Sequence, residues 1–188
     1  TRNVKTPSVW DSPESIIRAV ARQYKEDPWL DQPFKPEVWI EKDALVGVIE
    51  GVCNRLRVPY FACRGYASQS EVYDAGKRFA GGTHDRRRVL VLHLGDHDPS
   101  GLDMTRDIRD RLAMFTGRKI DVRRLALNMD QIDTYNPPPN PAKDTDARFE
   151  GYRDSFGDSS WELDALDPDT ISNLIQNGRW VLITFTRF

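Results

Sequence analysis

Val89-Leu90-Val91-Leu92-His93-Leu94-Gly95-Asp96-His97-Asp98-Pro99-Ser100-Gly101 is the stretch on which the fold of this chain turns. Its first six residues form an apolar run with no polar alternation, the pattern of a strand covered on both faces. The run stops at Gly95. Two acids follow, and then a proline suited to the first turn of a helix. Met104, Ile108, Leu112 and Phe115 continue at helical spacing. A buried strand, a short acidic turn and a helix is one unit of a parallel α/β sheet.

The same rhythm extends in both directions. Glu37-Val38-Trp39-Ile40-Glu41 reads as a short buried strand. Leu45, Val48, Ile49, Val52, Cys53 and Leu56 then mark the clearest amphipathic helix. Pro59 to Cys63 is a second strand. Ser68-Gln69-Ser70-Glu71 has the spacing of a capping box, with Val72, Ala75, Gly76 and Phe79 on one face of the helix it opens and Gly81-Gly82 at its end. Ile120 to Leu127 is a fourth strand. The expected fold is therefore α/β: a mainly parallel sheet of about four strands, helices on both faces, and a small α-rich C-terminal extension. In such sheets ligands gather at the carboxyl ends of the strands.

Residues outside this core are read as follows. Ser12-Pro13 opens a helix with Ile16, Ile17, Val20, Ala21 and Tyr24 at helical spacing, and Tyr24 is expected in the core. The proline-rich stretch 28–36 is expected as a linker over the surface. Residues 136–146, Asn-Pro-Pro-Pro-Asn-Pro-Ala-Lys-Asp-Thr-Asp, read as a stiff connector without regular structure. Trp161 to Leu166 alternates apolar and acidic residues and reads as a strand with Glu162 and Asp164 on one face. Asp167-Pro168 opens a last helix with Ile171, Leu174 and Ile175 inward, and the apolar tail Val181 to Phe188 reads as an edge strand or interface.

Composition sets limits. The chain has 188 residues, a net charge of −2 and 39% hydrophobic residues, enough to fill a core and incompatible with a uniformly basic coat. The charge is uneven. Residues 1–128 carry 22 Lys and Arg against 18 Asp and Glu, whereas residues 129–169 carry 3 against 11. Arg86-Arg87-Arg88 with Lys77 and Arg78 is the densest basic patch. It precedes a strand and so belongs to the rim opposite the acids. No apolar run is long enough for a membrane helix. Two cysteines, Cys53 and Cys63, make no disulfide scaffold and point to a reducing cytoplasm. The cysteines and histidines lack zinc-ligand spacing.

The chemistry-bearing residues lie at strand ends. Glu41 ends the first strand, and Asp96 and Asp98 follow the third. Three hard oxygen ligands at one rim suit Mg²⁺, and a cation offsets the repulsion among crowded carboxylates. The plain alternative is a turn in which Asp98 or Ser100 caps the next helix. Gly95 and Gly101 permit close backbone approach on either side.

Three ordered motifs now carry a resemblance. Val38-Trp39-Ile40-Glu41-Lys42-Asp43-Ala44, Arg64-Gly65-Tyr66 and Asp96-His97-Asp98-Pro99-Ser100-Gly101 together resemble the Toprim domain of the topoisomerase VI A subunit and of the meiotic double-strand-break protein. The chain looks most like shortened bacterial, phage or plasmid relatives of that family. The resemblance covers roughly residues 37–135. It implies a Toprim-type, Rossmann-like domain over 37–135, preceded by a helix and proline-rich linker (1–36) left from a missing upstream domain, and followed by an acidic extension (136–188). It implies that Glu41, Asp96 and Asp98 hold Mg²⁺, with Mn²⁺ a substitute, beside a scissile phosphate of duplex DNA. A tyrosine on a winged-helix domain outside this chain would be the nucleophile. A homodimer, cytoplasmic and nucleoid-associated, belongs to the same expectation, and the sequence leaves open whether an ATPase partner subunit exists. His97 stands where the family favours a small residue and is expected to point away from the acids.

Lys42, Arg64, Ser68 and His97 are candidate contacts to DNA phosphate. Each has a structural alternative: an ion pair for Lys42, a helix cap for Arg64 or Ser68. Lys42 is expected on the side opposite Glu41 if the strand persists. Glu162 and Asp164 are candidates for a second metal site or for the wet face of an edge strand. Other functions stay open: a stand-alone metal-dependent Toprim nuclease using activated water, a phosphohydrolase with Asp96 as nucleophile, or a non-catalytic DNA-binding or dimerisation module.

Overall fold

A computed structural model describes residues 9–80 and 87–177. The helix stop at Gly81-Gly82, Arg86 and the tail 181–188 lie outside the described residues. Four parallel strands form the sheet: β1 (Phe34–Ile40), β2 (Tyr60–Ala62), β3 (Arg88–Leu94) and β4 (Asp121–Ala126), in the spatial order β2-β1-β3-β4. The α/β class with an all-parallel four-stranded sheet flanked by helices is as the sequence predicts.

Period-two alternation along the strands makes two cores. Val38, Ile40, Leu90, Leu92 and Leu94 face one side, where they pack with Ile49, Val52 and Cys53 of α2 (Val46–Leu56). Trp39, Val89 and Val91 face the other side, against Val72, Ala75 and Phe79 of α3 (Gln69–Ala80) and Ile108 and Leu112 of α4 (Pro99–Thr116). The Ser68 cap forms as expected: the Glu71 N–H donates to Ser68 Oγ at 3.2 Å, and the Ser68 N–H donates to Glu71 Oε2 at 2.8 Å.

The N-terminal expectations need two corrections. The helix α1 (Pro13–Gln23) forms, but it buries none of its residues, and Tyr24 is 73% exposed rather than in the core. No described residue covers its apolar face closely enough to bury it, and Tyr24 has already left the helix as its C-cap. Nor is 28–36 a surface linker. Trp29 is 3% exposed and its indole N–H donates to the Leu56 carbonyl at 2.7 Å. Phe34, Lys35 and Pro36 already belong to β1, which therefore begins three residues before Glu37. Pro36 is tolerated inside this central strand for a local reason. The N–H of Val38, two residues on and so directed to the same edge, donates to the Pro59 carbonyl just before β2. At Pro36 that edge has no strand beside it, so the missing N–H breaks no ladder bond.

The acidic C-terminal part is built into the same core. After α5 (Met129–Tyr135), Asn140–Pro141 (β5) pairs antiparallel with Ser159–Ser160 (β6). The stretch read as an unstructured connector thus holds a short ladder, in which the donor is the Ala142 N–H, to the Asp158 carbonyl at 2.8 Å, and no proline N–H is needed. The helix α6 (Phe149–Phe156) lies between β5 and β6. The helix α7 (Pro168–Asn177) sends Ile171 and Ile175 into the core beside α2, as its periodicity predicts. Trp161 to Leu166 is not a strand. Only Trp161 bridges, to His97, and Leu163–Ala165 turns in a 3₁₀ helix. The alternation misleads because Leu163 and Leu166 both enter the core from a turn.

Candidate active site at the carboxyl rim

Adjacent strands bring the acids together. In the β1/β3 register Ile40 lies opposite Leu94, so Glu41 and the Gly95-Asp96 step leave the sheet side by side. The ladder runs one bond further, with the Glu41 N–H donating to the Leu94 carbonyl at 2.9 Å. The Glu41 side chain then turns across β3, where its Oε2 accepts the Asp96 N–H at 2.9 Å. A Cβ on Gly95 would stand 2.7 Å from that same oxygen, so only glycine leaves the carboxylate room. Burial is the chief cause that pushes the Glu41 carboxyl up to about 7. The charge on Asp96 adds to it and that on Asp98 follows, partly offset by the Asp96 N–H and by Arg124. The Asp96 carboxyl is also raised, by burial first.

Asp96 and Asp98 divide their tasks. Asp96 Oδ1 accepts the Leu163 N–H at 2.7 Å, and its Oδ2 lies 3.4 Å from Lys42 Nζ. Asp98 is the N-cap of α4: its Oδ1 accepts the Gly101 N–H at 2.6 Å and the Ser100 hydroxyl at 3.1 Å. The capping alternative thus describes the bond Asp98 makes. A Cβ on Gly101 would collide with the Asp96 carbonyl oxygen, which is why the turn closes on glycine.

Lys42 falls on the acid side, contrary to strand alternation, because β1 ends at Ile40 and the backbone turns into the 3₁₀ helix Asp43–Leu45. Its ammonium lies 2.9 Å from Glu162 Oε2 and 2.8 Å from Asp164 Oδ1. Burial works against its charge, but these hydrogen bonds and the Asp96 charge outweigh it and hold the amine well above its usual range. Glu162 and Asp164 do converge, then, although from a turn and not from a strand face, and the group between them is Lys42.

The remaining candidates sit around this rim. The Arg64 side chain is exposed and pairs with Asp43 at 3.3 Å. Arg64 and Gly65 both have positive φ, 55° and 84°, and the Gly65 N–H reaches the Glu41 carbonyl at 3.3 Å. Tyr66 donates its hydroxyl to Asp103 at 2.7 Å. Ser68 caps α3. His97 is 2% exposed and points away from the acids into a ring cluster of Tyr152, Phe156 and Trp161, with Nδ1 3.0 Å from the Tyr152 hydroxyl. Burial, then Arg124, pushes His97 down to about 4, so it is neutral at pH 7.

Arg124 is the residue that sequence reasoning passes over. From β4 its guanidinium donates to the carbonyls of Gly95 at 2.8 Å and Gly101 at 2.9 Å, to that of Asp96, and to the Thr105 hydroxyl at 3.1 Å, while Nε donates to Leu127 at 3.1 Å. The whole Asp-x-Asp turn is hung on this one fork. The signal was present: an arginine in line with Val122 on an inward face of β4, near the rim where the acids are expected.

The donors suit a hard dication in kind. All are carboxylate oxygens at one rim, and the cost of charging Glu41, set by burial first and the Asp96 charge next, is what a cation would offset. As they stand they are not closed around one point. Among the described residues no three His, Cys, Asp or Glu side chains are gathered closely enough to hold a metal ion. The reason is visible: Asp96 is turned to Leu163 and Lys42, and Asp98 to its helix. No described helix is long and apolar enough to cross a membrane. In comparisons with known proteins, no family model and no curated protein matches this sequence.

Proposed function

We propose that this chain is the metal-binding Toprim portion of a type IIB topoisomerase-like enzyme that breaks and rejoins duplex DNA. The supporting observation is that Glu41 and the Asp96-x-Asp98 turn leave adjacent parallel strands at one rim, with Glu41 Oε2 bonded to the Asp96 N–H. On this reading Glu41, Asp96 and Asp98 hold Mg²⁺, or Mn²⁺ in its place. When bound, the ion supplies charge neutralisation at the reacting phosphate. The chain's own residues do the positioning. Arg124 fixes the turn that presents Asp96 and Asp98, Gly95 leaves space for Glu41, and His97 anchors the turn in its ring cluster. Lys42 balances Asp96 when no ion is bound. The nucleophilic tyrosine is assigned to a winged-helix domain outside these residues. A homodimer and association with the nucleoid follow from the same reading.

Calorimetric titration of Mg²⁺ into the wild-type chain and into Asp98→Ala and Glu41→Gln tests it. The wild type is expected to bind and both variants to lose binding. Equal binding by all three removes the metal site. Incubation with plasmid DNA and Mn²⁺ separates the stand-alone nuclease, which cuts without a covalent protein–DNA adduct, from the incomplete topoisomerase, which does not cut alone.

A further inference from the structure

The opposite rim, at the amino ends of β3 and β4, holds a cleft of about 580 Å³. Arg88 at the start of β3, Arg109 on α4, and Arg118 and Lys119 in the α4–β4 turn line it. Many arginines of this chain pair with acids: Arg78 with Glu37, Arg106 with Asp103 and Asp110, Arg111 with Asp107, Arg153 with Glu150. The cleft arginines are held differently. Arg109 donates to the Val122 carbonyl at 3.1 Å and Arg118 to the Phe79 carbonyl at 2.6 Å, while Arg88 lies 4.4 Å from the centre of the Phe34 ring. Among the described residues, none of these three and not Lys119 either makes an ion pair with a carboxylate. Neutral partners fix the guanidinium groups and leave their charge uncompensated. The one acid in the lining, Asp121, is taken by Arg123.

Three fixed guanidinium groups and Lys119 around one cleft, none paired with a carboxylate among the described residues, call for an anion. Two features decide which kind. The lining contains no aromatic ring and no amide side chain, so it has nothing to stack on a base or read a base edge. And the basic surface runs on past this cleft: a second cleft of about 270 Å³ shares Arg87, there paired with Asp27 at 3.1 Å, and brings Lys25, Lys35 and Arg57 against Glu26 and Asp27, an excess of cations, with Trp29 buried in its wall. A compact anion would use one cleft; a chain of phosphates uses both. We propose that the amino rim of the sheet is a sequence-independent binding site for the phosphate backbone of duplex nucleic acid, on the side of the domain away from the acids.

Fluorescence anisotropy with a labelled duplex oligonucleotide, over a range of KCl and in EDTA, tests this on the full chain. EDTA keeps it separate from the metal reading. Arg109→Gln/Arg118→Gln/Lys119→Gln is expected to lower the salt slope by about 2.7, at ~0.9 per lost phosphate contact, and affinity on the order of 100-fold near 0.1 M salt. Arg109→Lys/Arg118→Lys, which keeps the charge, is expected to retain most of the binding, and two unrelated duplex sequences are expected to bind alike. Should the triple variant not fold, Lys119→Gln alone decides, with an expected slope loss of about 0.9. An unchanged slope overturns the proposal. So does inorganic tripolyphosphate binding as tightly as the duplex, which would mark a site for a compact anion.

Discussion

Asp96 Oδ1 accepts the backbone N–H of Leu163 at 2.7 Å, across 67 residues of chain. The same junction carries paired backbone bonds between His97 and Trp161, at 2.8 and 3.0 Å, and the Lys42 bridges to Glu162 and Asp164. Leu163 itself is in the central core. The acidic segment is therefore a wall of the acidic rim, and the same contacts that fold it orient Asp96. Burial of the rim and presentation of its carboxylates are one structural event.

Lys42 is the cation that the carboxylates of this junction share. Its side chain is 23% exposed, while those of Glu162 and Asp164 are about half exposed, so solvent screens much of the attraction. Lys42→Met in EDTA is expected to cost about 1–2 kcal/mol, read as a melting temperature lower by ~3–6 °C. Adding Glu162→Gln and Asp164→Asn is expected to recover part of the loss, because those carboxylates no longer lack a partner. A triple variant that melts lower than Lys42→Met would show that the acids are held by something other than Lys42.

Two glycines in the acidic turn are expected to fail in different ways. At Gly95 the new methyl group meets the end of a side chain, Glu41 Oε2. Gly95→Ala should fold, displace Glu41 and abolish the Mg²⁺ response. At Gly101 it meets the Asp96 backbone carbonyl at the start of α4, which cannot swing aside. Gly101→Ala is expected to lose about 2–4 kcal/mol of stability, since the turn itself must open. Circular dichroism melts with Mg²⁺ titration on both variants separate the two outcomes. A Gly95→Ala protein with wild-type Mg²⁺ binding would remove Glu41 from the ligand set.

What the sequence made legible follows from the range of its signals. Unbroken apolar runs and helical spacing are local, so β1, β3, α2 and α4 could be read directly, and the parallel sheet followed from their order. Glu41 and Asp96 meet because strand ends of a parallel sheet share a rim, and that rule needs no coordinates. Partners chosen by three-dimensional packing were out of reach. Nothing in Trp161-Glu162-Leu163-Asp164 says that its acids reach back to Lys42, or that the Leu163 N–H serves Asp96. Tyr24 failed for the converse reason, since helical spacing shows that a face is apolar but not that anything covers it. Trp29 was misread because proline density suggested a linker where one indole anchors the segment.

Glu41 gives the acidic rim a pH signature. Burial, with Asp96 next, raises its carboxyl from 4.5 to about 7 in the folded protein. Below pH 4.5 both folded and unfolded forms carry the proton. Between 4.5 and about 7 the unfolded chain ionises first, so stability falls as pH rises, by at most ~3 kcal/mol and by about 1–2 kcal/mol with solvent screening. Above 7 the cost is constant. Two buried histidines tilt the other way: burial pushes His93 down to about 3 and His97 to about 4, so stability rises with pH up to the ordinary histidine range. Those slopes are common to the wild type and Glu41→Gln, and they cancel in the difference. Urea unfolding in EDTA is therefore expected to show the two proteins within about 0.5 kcal/mol at pH 5, with Glu41→Gln more stable by about 1–2 kcal/mol at pH 8. Saturating Mg²⁺ at pH 8 should reverse that order, because only the wild type retains the full ligand set. A Glu41→Gln protein no more stable than wild type at pH 8 in EDTA would mean that the Asp96 N–H already offsets the buried charge, and that the rim has no need of a cation.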